Sequence, residues 1–177
     1  VAGSSHHSIY DRMPGIKIVS PMTPKEYELV YQSFMKDDDP YYVSEHRRSY
    51  DNTDEFCNVI HEEPDIVLFP ISITRFAAVK AKNELEKMGY NVSIIHQLWI
   101  KPFIPDESWI GALARSKYGG LVLDDDYEQG VATNIAHKLM MKSRKMVDVL
   151  CLENRTAGFY PDVDNLPPSK DEIITKI

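Results

Sequence analysis

Residues 15–48, GIKIVSPMTPKEYELVYQSFMKDDDPYYVSEHRR, decide how the chain must be read. Ile16–Ser20 is a short β-branched run closed by Pro21. Thr23 and Pro24 form an N-cap and first-turn pair, because proline's missing N–H would be unpaired there anyway. Glu26 stands three residues after Thr23 and predicts a capping box. Tyr27, Val30, Tyr31 and Phe34 then share one helical face, and the DDDP of Asp37–Pro40 stops the helix. Tyr41–Glu45 reads as a second strand. A helical crossover between strands predicts a right-handed parallel pair.

One such unit cannot cover its own faces, so the neighbouring text matters. Residues 47–64 turn polar and lose their period, which predicts a linker over 51–64 in which Phe56, Val59 and Ile60 pack on a neighbour. At Asp65 the unbroken apolar run DIVLFPI predicts a strand covered on both sides by helices. A helix follows with Ile73, Phe76, Ala77, Ala81, Leu85 and Met88 as its apolar stripe, ended by Gly89. Then come a strand over NVSIIHQLWI (91–100), a helix over 106–117, a strand over GGLVLDD (119–125), and a helix through Val131, Ile135, Leu139 and Met140. MVDVLCLE (146–153) is a last strand, before a proline-marked loop and a short terminal helix. The fold class is α/β, a mostly parallel open sheet flanked by helices and preceded by a βαβ unit. The boundaries are 1–50 for the first unit, 51–64 for the linker and 65–177 for the second domain.

The totals agree with a folded core: 43% of the 177 residues are apolar. A net charge of −7 argues against nucleic acid or an anionic membrane as partner. Cys57 and Cys151 are too few and too far apart for a disulfide scaffold or a zinc site, so a reducing cytoplasm is expected. VAGSSHHS lacks the blocks of a signal peptide, and its GSSHH has the look of a tag remnant.

There is no glycine-rich phosphate loop, nucleophile elbow or His/Cys cluster at metal spacing. Asp124, Asp125, Asp126 and Glu128 stand between a strand and a helix. They can hold a hard cation or cap the helix, and capping is the favoured reading. His6 and His7 can work in acid–base chemistry near neutral pH, or belong to a mobile tail. Glu45, His46, Arg47 and Arg48 are interface candidates at a domain boundary, with phosphate or carboxylate binding as the lesser reading. His96 is expected to be a satisfied core or interface histidine, and Trp99 and Trp109 packing anchors.

The ordered set of pieces resembles the transketolase superfamily of thiamine-diphosphate enzymes, and most of all the beta subunits of 2-oxo acid dehydrogenase first components. Residues 14–50 resemble the end of the pyrimidine-binding domain, with its PG, TP, D-P and EHR-Y-like positions. Residues 65–103 resemble the opening of the transketolase C-terminal domain, 119–139 its next strand and helix, and LPPSKDEIITKI (166–177) its terminal helix. The resemblance implies thiamine diphosphate and Mg²⁺ in the assembled enzyme, with none expected for this chain alone. It implies a homo- or hetero-oligomer with a thiamine-binding chain or domain, and a lipoyl acyltransferase as a further partner. His7-Ser8 matches the family's His-Ser catalytic loop, at a shorter spacing to Pro14, which carries the catalytic role over to His7. Glu128-Gln129-Gly130 stands where beta subunits have a glycine-rich turn, and PISITRF (70–76) where they have a glycine-bearing one. The family's ring-activating glutamate and its diphosphate-binding GDG motif match nothing here. The first unit is therefore expected to be the closing piece of a domain whose opening lies elsewhere. The alternatives are a non-catalytic interaction or regulatory module and, last, a flavodoxin-like binding domain, for which FPISITRF (69–76) lacks the needed glycine.

Overall fold

The opening stretch folds as one βαβ unit. In the computed structural model, which describes residues 5–158, 160 and 163–177, a single-turn helix α1 (His7–Asp11) leads into β1 (Lys17–Val19), α2 (Pro24–Phe34) and β2 (Tyr41–Val43). The two strands pair in parallel, Lys17 opposite Tyr41 and Val19 opposite Val43. Thr23 caps α2 by accepting the Glu26 N–H. The capping box is only half made, because the Glu26 carboxylate accepts from the Met22 N–H and from Arg75 Nη1 instead. The predicted apolar face of α2 is also only partly used. Val30 is buried and Tyr27 half-buried, whereas Tyr31 and Phe34 remain exposed, as do Leu29 and Met35 outside the predicted face.

Beyond a short 3₁₀ turn at Arg47–Ser49, the second part contains β3 (Ile66–Pro70), α3 (Thr74–Lys87), β4 (Val92–Ile94), β5 (Trp99–Lys101), α4 (Glu107–Arg115), β6 (Gly120–Tyr127), α5 (Val131–Ser143), β7 (Val147–Leu152) and α6 (Lys170–Lys176). Its sheet runs β4-β3-β6-β7, all parallel. The unbroken apolar text of β3 is explained by two-sided burial. Val67, Phe69 and Ile71 join one core with Ile135 and Leu139 of α5, while Ile66 and Leu68 join the other with Ala78, Ala81 and Leu85 of α3. The N-terminus of α6 carries a full capping box between Ser169 and Glu172. Gly89, at φ +92°, ends α3 as anticipated.

The segment 91–100, expected as one strand, breaks in two. β4 stays in the large sheet, Gln97 bridges back to Ile71, and β5 crosses over to pair antiparallel with β1. The first sheet is thus β2-β1-β5, and Ile18 of β1 shares a core with Val67, Phe69 and Ile100. An apolar run has no marker for such a change of sheet; the two buried polar residues at the crossing, His96 and Gln97, are its only trace. In the 51–64 stretch, Val59 exchanges both backbone hydrogen bonds with Ile94, at 2.9 Å each, and so lines the outer edge of β4.

Candidate functional site

In an open parallel sheet, ligands gather outside the carboxyl ends of strands where the chain's direction of winding reverses. Here that point lies between β3 and β6, since β4 is added on one side of β3 and β6 and β7 on the other. The carboxyl end of β6 carries Asp124, Asp125 and Asp126, all buried. Burying three carboxylates in a row is costly unless each is hydrogen-bonded or neutralised. The N-terminal segment does this for Asp124 and Asp126. His7 Nε2 lies 2.8 Å from Asp124 Oδ2 and 4.0 Å from Asp126 Oδ2, with Ser5 Oγ at 3.4 Å. The Ser8 N–H donates to Asp126 Oδ2 at 3.1 Å, and the Ser5 N–H donates to the Asp125 carbonyl at 3.2 Å.

Several contacts hold this segment down. Tyr42 Oη donates to the Ser5 carbonyl, and the Tyr10 ring stacks on Tyr42 at 4.1 Å. Lys101 Nζ donates to the carbonyls of Asp11 and Met13 at 2.6 Å each, and Asn134 Nδ2 to Asp11 Oδ2 at 2.9 Å. Ser8 Oγ accepts the Val131 N–H at 3.1 Å and so caps α5 from a remote part of the chain. Gly130, the local cap position, offers no side chain, and a Cβ there would come within 2.0 Å of Ser8 Oγ. The favoured reading of the acidic run as a cap for α5 is therefore overturned: the three aspartates belong to β6 and bind the N-terminal segment. His7 is likewise no mobile tail, being wholly buried, while residues 1–4 of the tag-like stretch lie outside the described residues.

The electrostatics follow from burial among like charges. Burial alone pulls the His7 imidazolium down, but the Asp124 charge and hydrogen bond, with help from Asp125 and Asp126, outweigh it and raise its pKa from 6.5 to about 9. Burial and the Asp124 charge push Asp125 up from 3.8 to about 7, against the pull of His7 and the nearby Ser5 and Ser72 hydroxyls. Burial pushes the Cys151 thiol up, which makes it a poor nucleophile. His7 Nδ1, Asp125 Oδ1 and Ser72 Oγ are buried without a hydrogen-bond partner among the described residues. Ser72, at the end of β3, also holds φ at +51°, a left-handed conformation that favours glycine.

The interface candidates stand apart from this crevice. Glu45, Arg47 and Arg48 are exposed, and Arg47 and Arg48 form no ion pair among the described residues. His46 Nδ1 accepts the Arg48 N–H, and burial and the Arg48 charge lower its pKa. Glu45 Oε2 accepts from Tyr50 Oη at 3.1 Å. His96 departs from the satisfied histidine of the sequence reading. Its ring stacks on Phe56 at 4.7 Å, its Nδ1 has no partner among the described residues, and burial, with the Arg75 charge, drops its pKa to about 3. Trp99 and Trp109 are half-buried and line a cleft of about 430 Å³ together with Tyr41 and Phe103. Among the described residues no group of three or more His, Cys, Asp or Glu side chains is placed to hold a metal ion. Nor is any helix there long and apolar enough to cross a membrane.

The family model "Transketolase, C-terminal domain" matches residues 56–159. The chain belongs to this transketolase C-terminal domain family. The match takes in the acidic end of β6, Arg75 and His96, whereas His7 and the stretch Glu45–Arg48 lie before it. Among curated proteins, the chain is 26% identical over 184 residues to the 2-oxoisovalerate dehydrogenase subunit beta of Bacillus subtilis (strain 168), covering 94% of this chain and 55% of that one. It is 24% identical over 169 residues to the pyruvate dehydrogenase E1 component subunit beta of Mesostigma viride, covering 89% and 46%. The chain thus spans about half the length of these relatives. Among solved structures it is similar to a split-gene transketolase described as an inactive beta4 tetramer, with a TM-score of 0.69, 15% identity, and coverage of 93% of this chain and 56% of that chain. The transketolase of Campylobacter jejuni subsp. jejuni NCTC 11168 follows at 0.60 and 15%, covering 96% and 25%. Likeness at such identity establishes the transketolase C-terminal α/β fold.

Three features escape the sequence reading: Asp124 as the partner of His7, Ser8 as a remote helix cap, and the burial of Arg75 on α3, outside the predicted apolar stripe. Only the first left a legible signal. Three consecutive aspartates continuing an apolar strand call for a counter-charge from elsewhere.

Proposed function

We propose that the chain serves as the C-terminal portion of a thiamine-diphosphate-dependent enzyme subunit of the 2-oxo acid dehydrogenase or transketolase type, working within a multi-chain assembly. The observation that carries this is the unfinished first unit. β2 is paired only with β1 among the described residues, and the end of α2 with its cap residue leaves Tyr31, Phe34 and Met35 exposed on one face. A free strand edge next to an apolar helix face is the surface a neighbouring chain or domain covers. The names of the curated relatives, which are beta subunits, support the same reading. The reaction implied is decarboxylation of a 2-oxo acid with acyl transfer to a lipoyl carrier; ketol transfer between sugars is the nearest alternative. In this reading residues 1–50 close a pyrimidine-binding domain, 51–64 are the linker, and 65–177 the C-terminal domain. Glu45, His46, Arg47 and Arg48 face the neighbour. Unpaired Cys57 and Cys151 suit a reducing compartment such as the cytoplasm.

The residues present do not by themselves fit the cofactor. The buried Asp124 and Asp126 carboxylates are taken up by His7 and by backbone N–H groups, and no three metal-ligating side chains converge among the described residues. Thiamine diphosphate, with Mg²⁺, would have to be held by the partner. His7 is the residue of this chain proposed for proton handling at the shared site. The alternative, a non-catalytic interaction or regulatory module, is favoured by one observation, the closure of His7 against Asp124.

Light scattering on the purified chain tests the assembly. Self-association or capture of a thiamine-binding chain is expected, and Tyr31→Glu with Met35→Glu abolishes it without unfolding, since both side chains are exposed on one face. A strict monomer whose melting temperature rises saturably with thiamine diphosphate and Mg²⁺ alone would overturn the proposal.

A further inference from the structure

Arg75 is the one lysine or arginine that is buried among the described residues: its side chain has no exposure. It sits in the first turn of α3 and meets Glu26 of α2 through Nη1 alone, at 2.6 Å. Its Nε and Nη2 have no partner among the described residues. These two atoms form one edge of the guanidinium, where two parallel N–H bonds match the two oxygens of a carboxylate. Buried polar groups are nearly always paired, so an intact and empty fork is an exception that calls for a partner.

A second observation lies beside it. His96 Nδ1 is also buried and unpartnered, and its ring is neutral because burial and Arg75 depress its pKa. Phe56 joins the two groups, its ring centroid standing 5.4 Å from Arg75 Cζ and 4.7 Å from the His96 ring. Phe56 also lines a cleft of about 380 Å³ with Phe76, Val79 and His96, whose wall carries Lys80 and Lys82 as well as Asp54 and Glu55; Arg75 lies behind Phe56 and does not line it. Phe56 belongs to the irregular stretch 51–58, where no regular hydrogen-bond ladder holds it.

We propose that this recess is a binding site for a small organic carboxylate, with the carboxylate on the Nε/Nη2 fork of Arg75, the apolar body in the Phe56–Phe76 cleft, and Phe56 as the side chain that swings aside to admit it. One guanidinium has N–H groups enough for both Glu26 and the ligand, because the two carboxylates use different edges. His96 Nδ1 stands ready for a further polar atom of the ligand, and Lys80 and Lys82 balance the Asp54 and Glu55 charges of the lining. The apolar walls favour a flat or branched body over a sugar phosphate. The site shares no side chain with the His7 crevice and does not rest on the chain's proposed role in a thiamine enzyme.

Sodium benzoate is the probe. Titrated into the ¹⁵N-labelled chain, it is expected to shift the Arg75 Nε–Hε resonance saturably, while sodium chloride at equal ionic strength leaves it in place. Neutral benzamide should bind at least ten-fold more weakly. Val79→Phe, which fills the cleft without touching Arg75, should lower benzoate affinity at least ten-fold, and Phe56→Ala should raise it. A silent Arg75 resonance, an equal shift with chloride, or unchanged binding in Val79→Phe would each overturn the proposal.

Discussion

Replacing His7 by glutamine and following stability against pH tests the charge balance on which the crevice depends. The pKa of His7 rises from 6.5 in the unfolded chain to about 9 in the folded one. A native state that binds its proton more tightly is stabilised wherever the proton is bound. The contribution is therefore complete below pH 6.5 and is lost as pH climbs through 9. The difference between the two values corresponds to roughly 3 kcal/mol. Removing one member of a buried ion pair costs about 3–5 kcal/mol. Urea unfolding followed by the fluorescence of Trp99 and Trp109 should thus show His7→Gln less stable by that amount at pH 6.5. The gap should narrow by roughly 3 kcal/mol by pH 9.5, since there the native histidine is neutral as well. Asp125 titrates inside this window, and loss of His7 removes a charge that holds its pKa down to about 7, so the comparison is made in an Asp125→Asn background, where that second titration is absent. A gap that stays constant from pH 6.5 to 9.5, or an NMR titration of His7 at or below 6.5, would refute the reasoning.

Two further changes probe the backbone at the same edge. Ser72→Gly relieves a left-handed φ of +51° but also removes a hydroxyl that lies near Asp125, so Ser72→Ala, which loses the hydroxyl and keeps the strain, is its reference. Against Ser72→Ala it should be more stable by about 1 kcal/mol, a rise of roughly 2–4 °C in melting temperature. Gly130→Ala drives a methyl group into Ser8 and should cost about 1–3 kcal/mol. Most of that cost should vanish in a Ser8→Gly background, because the clash is with the Ser8 side chain; a cost equal in both backgrounds would show that Ser8 does not dock there.

The readings that survived come from local chemistry. DIVLFPI declared a strand buried on both faces because no polar residue interrupts it, and the Thr23-Pro24 pair marked the start of α2 because capping is settled within a few residues. The readings that failed concern partners distant along the chain. Glu26 suits a capping box, yet in the folded chain Arg75, 49 residues away, competes for its carboxylate and a cap is a weaker partner than a buried guanidinium. Met88 continues the apolar stripe of α3, but it is 63% exposed while Arg75 is buried. No period could reveal this, because a long cationic side chain goes inside only where a carboxylate from another element waits for it.

The amino-acid sequence by itself determined the alternation of strands and helices, the parallel crossover of the first unit and the family, since propensity, periodicity and capping act over one or two turns. Only the tertiary structure decided that residues 91–100 serve two sheets, that Ser8 caps a helix more than a hundred residues ahead, and that Asp124–Asp126 face His7 rather than their own helix. These depend on which surfaces meet when the two sheets close on one core, and desolvation then makes each buried charge seek whatever opposite charge that closure has brought within reach.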